Sequence, residues 1–122
     1  MSARLKTLIT SLALCAALPA TAMEAISERG EFVERVEGQV LQTRYLGVAV
    51  NLQVSPEGRI VGRALGADIT GDWAWQDGYF CREMTWGSTP IPYNCQLVEY
   101  NGEEMRFTTD RGAGRYADFD LR

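Results

Sequence analysis

The sequence predicts an all-β fold: an antiparallel up-and-down meander that closes into a small barrel or curved sheet, with one short N-terminal helix. From Val40 onward, apolar and polar residues alternate as they do on strands with one buried face. Turn signals recur every eight to a dozen residues, a spacing typical of strands joined by hairpins. The seven or so short strands that result must curl to bury one face and to remove their edges.

The chain begins with the features of a secretory signal peptide. Arg4 and Lys6 precede an apolar run that is too short to span a bilayer, and the small residues at its end are those that signal peptidase accepts. We therefore expect a leader over residues 1–22 and a single mature domain over residues 23–122. The protein is expected in the periplasm or secreted, with no transmembrane segment after cleavage.

A short helix is expected at the start of the mature domain. Ser27 is placed to cap a helix that runs through Val36, and Gly38 is available as its stop. Phe32, Val33 and Val36 supply one apolar stripe. The helix is expected to plug one end of the barrel or to pack on its face.

The rest of the mature chain divides into strands and turns. The expected strands cover residues 46–54, 59–65, 72–76, 79–86, 93–100, 104–108 and 116–121. Between them lie a turn over 55–58, a connection over 66–71, the hairpin turn Asp77-Gly78, a loop over 87–92, the hairpin turn Asn101-Gly102 and a turn over 110–114.

Cys81 and Cys95 are the two cysteines of the mature chain. An even pair in an exported domain indicates a structural disulfide, and the midpoint of the pair falls in the loop that joins their strands, as hairpin pairing requires. The alternative, a redox-active or metal-binding pair, would normally show a C-x-x-C spacing or a nearby histidine. The sequence contains neither.

Charge and composition exclude several classes of function. The whole chain has 12 basic and 16 acidic residues, a net charge of −4. Loss of Arg4 and Lys6 with the leader leaves only arginines as basic residues and a net charge of about −6, so nucleic acid is not an expected partner. Without lysine or histidine, a histidine base, a lysine Schiff base and a histidine-bound metal are not expected. No cofactor and no metal are predicted.

Aromatic residues are concentrated in the middle of the mature chain. Seven of its twelve aromatic residues lie between Trp73 and Tyr100. Trp73, Trp75 and Tyr93 are the candidates to line a site for a small apolar ligand, as side chains at barrel mouths often do. The alternative is that these rings simply fill the core.

Two polar groupings are further candidates. Arg111 and Arg115, in a glycine-containing segment, could bind an anion, although a glycine-rich hairpin turn also explains the pattern. Glu83 and Glu99 on neighbouring strands could form a general acid–base pair, or they could be solvated charges on the outer face.

Three segments carry a resemblance to a known group of proteins. TGDWAWQDGYFCR (residues 70–82), YNCQ (93–96) and RFTTDRG (106–112) resemble small exported β-rich proteins of alphaproteobacteria. The resemblance implies export, a disulfide and a β-meander. Some of these proteins are named dihydrodipicolinate reductase, an enzyme that binds a nicotinamide cofactor. That activity needs a βαβ unit with a glycine-rich turn, whereas the glycines here separate β-strands, so we do not expect it.

The sequence therefore favours a non-catalytic exported protein that binds a small apolar ligand or an envelope protein. A structural envelope component and a small carboxylate-dependent hydrolase are the alternatives. A hollow barrel would favour ligand binding, and a filled barrel with a flat surface would favour a structural role.

Overall fold

The computed structural model describes residues 22–122 of the chain. The predicted signal peptide lies outside the described residues except for Ala22, and it stays a prediction. In chain order the elements are β1 (Glu24–Ala25), α1 (Arg29–Val36), β2 (Leu41–Tyr45), β3 (Val48–Val54), β4 (Arg59–Ala64), β5 (Ala67–Gln76), β6 (Tyr79–Trp86), β7 (Thr89–Tyr100), β8 (Glu104–Thr108), a 3₁₀ turn (Asp110–Gly112) and β9 (Tyr116–Leu121).

Strands β2 to β9 form a closed antiparallel barrel of eight strands, which confirms the predicted fold class. Each strand pairs with the next in sequence, and β9 pairs back onto β2 with Leu41 opposite Leu121. The two-residue strand β1 adds beside the last residues of β7. Closure pairs the edge strands β2 and β9, which an open meander would leave exposed.

Two-residue turns make most of the hairpins. Leu46-Gly47, Leu65-Gly66 and Asp77-Gly78 have positive φ at both positions, the signature of the type I′ turns that match the twist of paired strands. A fourth turn joins β6 to β7, where Trp86 pairs with Thr89.

These turns correct three details of the sequence prediction. The strand expected over residues 46–54 begins at Val48, and a further strand, β2, precedes it. Residues 67–71 belong to β5 rather than to a connection. The loop expected over 87–92 shortens to two residues, because β7 begins at Thr89. The predicted hairpin at Asp77-Gly78 is confirmed.

The helix begins later than predicted. Its N-cap residue is Glu28, and no side chain caps it by a hydrogen bond, so the expected cap at Ser27 is wrong. The carbonyl of Ser27 instead accepts a hydrogen bond from Nε1 of Trp75 at 3.0 Å. The contact between this segment and the barrel fixes how the chain enters the helix.

The helix plugs one end of the barrel through Phe32, which is fully buried. The Phe32 ring centroid lies 5.3 Å from that of Trp73 and 5.1 Å from those of Trp75 and Phe80. Arg29 on the same helix donates a hydrogen bond to the carbonyl of Pro56 at 2.6 Å. Large rings therefore fill the barrel on this side.

The meander places alternate connections at opposite ends of the barrel. We call the end that holds α1 and the connections at 55–58, 77–78 and 101–103 the closed end. The open end carries the turns at 46–47, 65–66 and 87–88 and the segment 109–115.

The disulfide joins Cys81 and Cys95, as predicted. The two cysteines face each other directly across β6 and β7, with 3.9 Å between their Cα atoms. Their neighbours Phe80 and Gln96 point into the barrel, so the alternation of side chains places the bond on the outer face.

Candidate functional site: a cavity in the open half of the barrel

The open half of the barrel interior holds two adjoining cavities. An inner cavity of about 500 Å³ lies above the aromatic core, and an outer cavity of about 470 Å³ lies toward the open end. Six residues line both: Tyr45, Leu52, Met84, Ile91, Ala117 and Phe119. Each volume falls in the range of pockets that bind small molecules.

Several inward positions of this half carry small side chains, which leave space between the larger ones. Val48, Val50, Ala64 and Ala117 line the outer cavity, whereas the closed half has tryptophan and phenylalanine at its inward positions. An eight-stranded barrel is just wide enough either to be filled by its side chains or to hold one small ligand. The small side chains of this half leave room for a small ligand.

The outer cavity is apolar. Ile69, Trp86 and the residues named above line it, and no charged residue does so among those that the structure describes. The indole Nε1 of Trp86 donates to the carbonyl of Ala64 at 2.7 Å, so its polar atom is already satisfied. At the mouth, Tyr45, Leu46 and Leu65 are 66 %, 87 % and 68 % exposed.

The inner cavity contains a charged side chain that sequence analysis did not single out. Arg82 occupies an inward position of β6, opposite Trp73, and is only 8 % exposed. Its guanidinium group donates one hydrogen bond, at 2.6 Å, to the carbonyl of Pro92. Burial lowers the pKa of Arg82 from its usual value, but a guanidinium group stays charged at any physiological pH.

Gln96 lies beside Arg82 in the wall of the inner cavity. It is 9 % exposed and faces inward opposite Phe80 on β6. No side-chain nitrogen or oxygen within residues 22–122 is both sealed from solvent and without a hydrogen bond. The polar atoms of Arg82 and Gln96 that make no hydrogen bond are therefore not sealed from solvent, and both residues line the inner cavity.

The charges around the inner cavity are all positive. Arg115, just before β9, lines it together with Arg82, and none of its lining residues is acidic. Arg82 forms no salt bridge in the part of the chain that the structure describes. The cavity thus has largely apolar walls, with a buried guanidinium group on Arg82 and an exposed one on Arg115.

The three aromatic residues proposed as a ligand lining do not come together. Trp73 and Trp75 point into the barrel, but they belong to the core at the closed end and line neither cavity. The indole of Trp73 donates to the carbonyl of Ser55 at 2.9 Å. Tyr93 lies on the outer face, 57 % exposed, and its hydroxyl donates to Gln76 at 3.2 Å.

The two arginines proposed as an anion site separate as well. Arg115 lines the inner cavity, whereas Arg111 lies over the ring of Tyr79, 5.3 Å from its centroid. Arg115 therefore lines the same cavity as the buried Arg82, and Arg111 does not.

Glu83 and Glu99 do not form an acid–base pair. The pairing of Cys81 with Cys95 places them about six residues apart along the ladder, roughly 20 Å. Glu83 is exposed on the outer face of the barrel. The hydrolase alternative loses the pair of carboxylates on which it depended.

A signal for the missed residues was present in the sequence. Phe80, Arg82, Met84 and Trp86 occupy every second position of one strand, so a strict alternation places the arginine on the apolar face. The same reasoning places Gln96 inward, two residues before the buried Val98.

No cluster of three or more metal-ligating side chains occurs within the described residues 22–122. None of the helices in that range is long and apolar enough to cross a membrane. Comparison of the chain with protein-family models, with curated proteins and with solved structures gives no significant match.

Proposed function

We propose that this protein is a non-catalytic exported binding protein that holds one small, largely apolar ligand inside its barrel. The observation that carries the proposal is the pair of adjoining cavities in the open half, which have apolar walls and which the aromatic core does not fill. Domain interiors normally pack densely, so unfilled space of this size in a small barrel favours a binding role over a structural one.

The turns at the mouth support a role for the open end in ligand entry. Leu46 and Leu65 are exposed and have φ near 50°, a conformation that is unfavourable for a leucine. At the closed end, the equivalent position of a type I′ turn is Asp77, a residue that tolerates this conformation. Apolar turns at the mouth offer an approaching apolar ligand a first contact before it enters the cavity.

The disulfide supports the exported location. Disulfides such as Cys81–Cys95 persist in oxidising compartments and are rare in the cytosol. A carrier in such a compartment would keep an apolar compound away from water while it moves between membranes or partners.

Native mass spectrometry with decan-1-ol, a neutral apolar probe, tests the proposal. We expect a one-to-one complex and a change in tryptophan emission, because Trp86 lines the outer cavity. The emission change should be lost in Trp86→Phe but kept in Trp75→Phe, since Trp75 lies in the closed-end core. Absence of any complex at saturating probe, or an emission change that depends only on Trp75, would overturn the proposal.

A further inference from the structure

We propose that the ligand carries an anionic head group on an apolar tail, and that Arg82 and Gln96 bind the head group in the inner cavity. This inference rests on the proposed function of the barrel and adds the chemical class of its ligand. The class is a single-tailed carboxylate amphiphile.

The position of Arg82 is the first argument for an anionic head group. A guanidinium group has five N–H donors, and the carbonyl of Pro92 accepts a bond from only one of its nitrogens. With 8 % of the residue exposed, most of its hydration is lost, and no carboxylate of the described residues replaces it by a salt bridge. An anion in the cavity would supply the missing acceptors and the missing opposite charge.

The neighbouring polar groups fit the same ligand. Gln96 is nine-tenths buried, lines the same cavity and makes no side-chain hydrogen bond within residues 22–122, so its amide can donate to the same head group. The bond to Pro92 holds the guanidinium group in place, which favours the two parallel hydrogen bonds that arginine forms with a carboxylate. Arg115 adds a second positive charge on the side of the open end.

The direction of the tail follows from the order of the residues on β6. Arg82 lies four residues farther from the open end than Trp86, which lines only the outer cavity. A head group bound at Arg82 therefore leaves the tail to run through the outer cavity toward the mouth. The acidic chain, with a net charge of −4, repels anions elsewhere, so this positive interior site would be selective.

A purely structural role for Arg82 is the competing explanation. Its bond to Pro92 could serve only to hold β7 where the register shifts between Arg82 and Met84. In that case Arg82→Met would destabilise the fold, and the charge of a ligand would not affect its affinity.

The test compares decanoate with decan-1-ol, each displacing the neutral fluorescent probe N-phenyl-1-naphthylamine at pH 7.5. Simple partitioning favours the alcohol because it is the less polar compound. We expect the wild-type protein to prefer decanoate by roughly 10- to 100-fold, since hydrogen bonds to charged groups are the strong ones. Equal affinity, or a preference for the alcohol, would overturn the inference.

Arg82→Met should remove most of the preference for decanoate and leave the affinity for decan-1-ol within about twofold. Arg63→Met is the matched control, because Arg63 pairs with Asp68 on the outer face and should change neither affinity. Gln96→Leu provides a second variant and should weaken decanoate binding by a smaller factor. If Arg82→Met folds and still prefers decanoate as strongly as the wild-type protein does, the inference is contradicted. If Arg82→Met does not fold, an unchanged preference for decanoate in Gln96→Leu contradicts it instead.

The outcomes separate the two proposals. If decan-1-ol and the neutral probe bind but decanoate has no advantage, the binding function stands and the head-group inference fails. If neither neutral compound binds and decanoate does not bind, the proposed function itself fails.

Discussion

At the scale of single residues, the Cys81–Cys95 bond is the strongest local constraint on the barrel. It joins positions 14 residues apart in neighbouring strands. In the chain-entropy model, closing such a loop stabilises the fold by about 3 kcal/mol. We expect the double variant Cys81→Ala/Cys95→Ala to lose about this much free energy of unfolding in urea denaturation. The reduced wild-type protein is the control, and its free energy of unfolding should equal that of the double variant. A loss below about 1 kcal/mol would contradict the prediction and show that the loop is already ordered in the unfolded chain.

Residue patterns predicted the bonded cysteines but not the residues of the cavity. The cysteines were recognisable because spacing and compartment determine a disulfide almost alone. Trp73, Trp75 and Tyr93 were wrongly grouped, because closeness in sequence does not decide whether a ring fills a core, lines a cavity or lies outside. Arg82 was overlooked since a charged residue is usually read as solvated, although its position in the alternation placed it inside.

At the scale of elements, the hairpins at the open end combine strain with exposed apolar surface. A leucine with φ near 50° costs about 1 kcal/mol relative to asparagine, which adopts this conformation more readily. We expect Leu46→Asn to raise the free energy of unfolding by about 1 kcal/mol and to slow the uptake of the neutral probe. Urea denaturation and stopped-flow fluorescence measure the two effects.

The hairpin at the opposite end supplies the control for that prediction. Asp77 occupies the same turn position with φ 52°. Asp77→Leu should therefore destabilise the protein by about 1 kcal/mol and leave probe uptake unchanged. Faster uptake in Leu46→Asn, or equal slowing in both variants, would contradict a role for the mouth in ligand entry.

The elements that the sequence predicted well are those with typical turn residues. Asp77-Gly78 was recognised because this dipeptide favours a type I′ turn. The turn at Leu46-Gly47 was missed because leucine is not a typical turn residue and continues the alternation with Val48. Gly71 was read as part of a connection, but it lies within β5, where a Cβ atom would collide with the backbone carbonyl of Glu83.

At the scale of the whole molecule, the barrel divides into two halves with different interiors. Around Phe32 the closed half is filled by aromatic rings, whereas the open half holds an apolar cavity at whose wall several inward positions are valine or alanine. Both halves show the same alternation in sequence, so the pattern predicts a barrel without showing which part of it is hollow. That property depends on how far strands on opposite sides of the barrel lie from each other, which alternation does not encode.

The charge distribution also appears only in the complete fold. The chain as a whole is acidic, yet the charged groups that line the inner cavity are Arg82 and Arg115. Arg82 lies on β6 and Arg115 lies just before β9, and only the folded barrel brings them to the same cavity.

The most direct test of a ligand-binding barrel is to fill its cavity and measure binding of N-phenyl-1-naphthylamine by fluorescence titration. Ala117 lines both cavities, whereas Val61 lies on the outer face of β4, 44 % exposed. We expect Ala117→Phe to abolish or strongly weaken probe binding while the protein stays folded, and Val61→Phe to bind the probe as the wild-type protein does. Equal binding by Ala117→Phe and the wild-type protein would place the probe outside the barrel and contradict the proposed function.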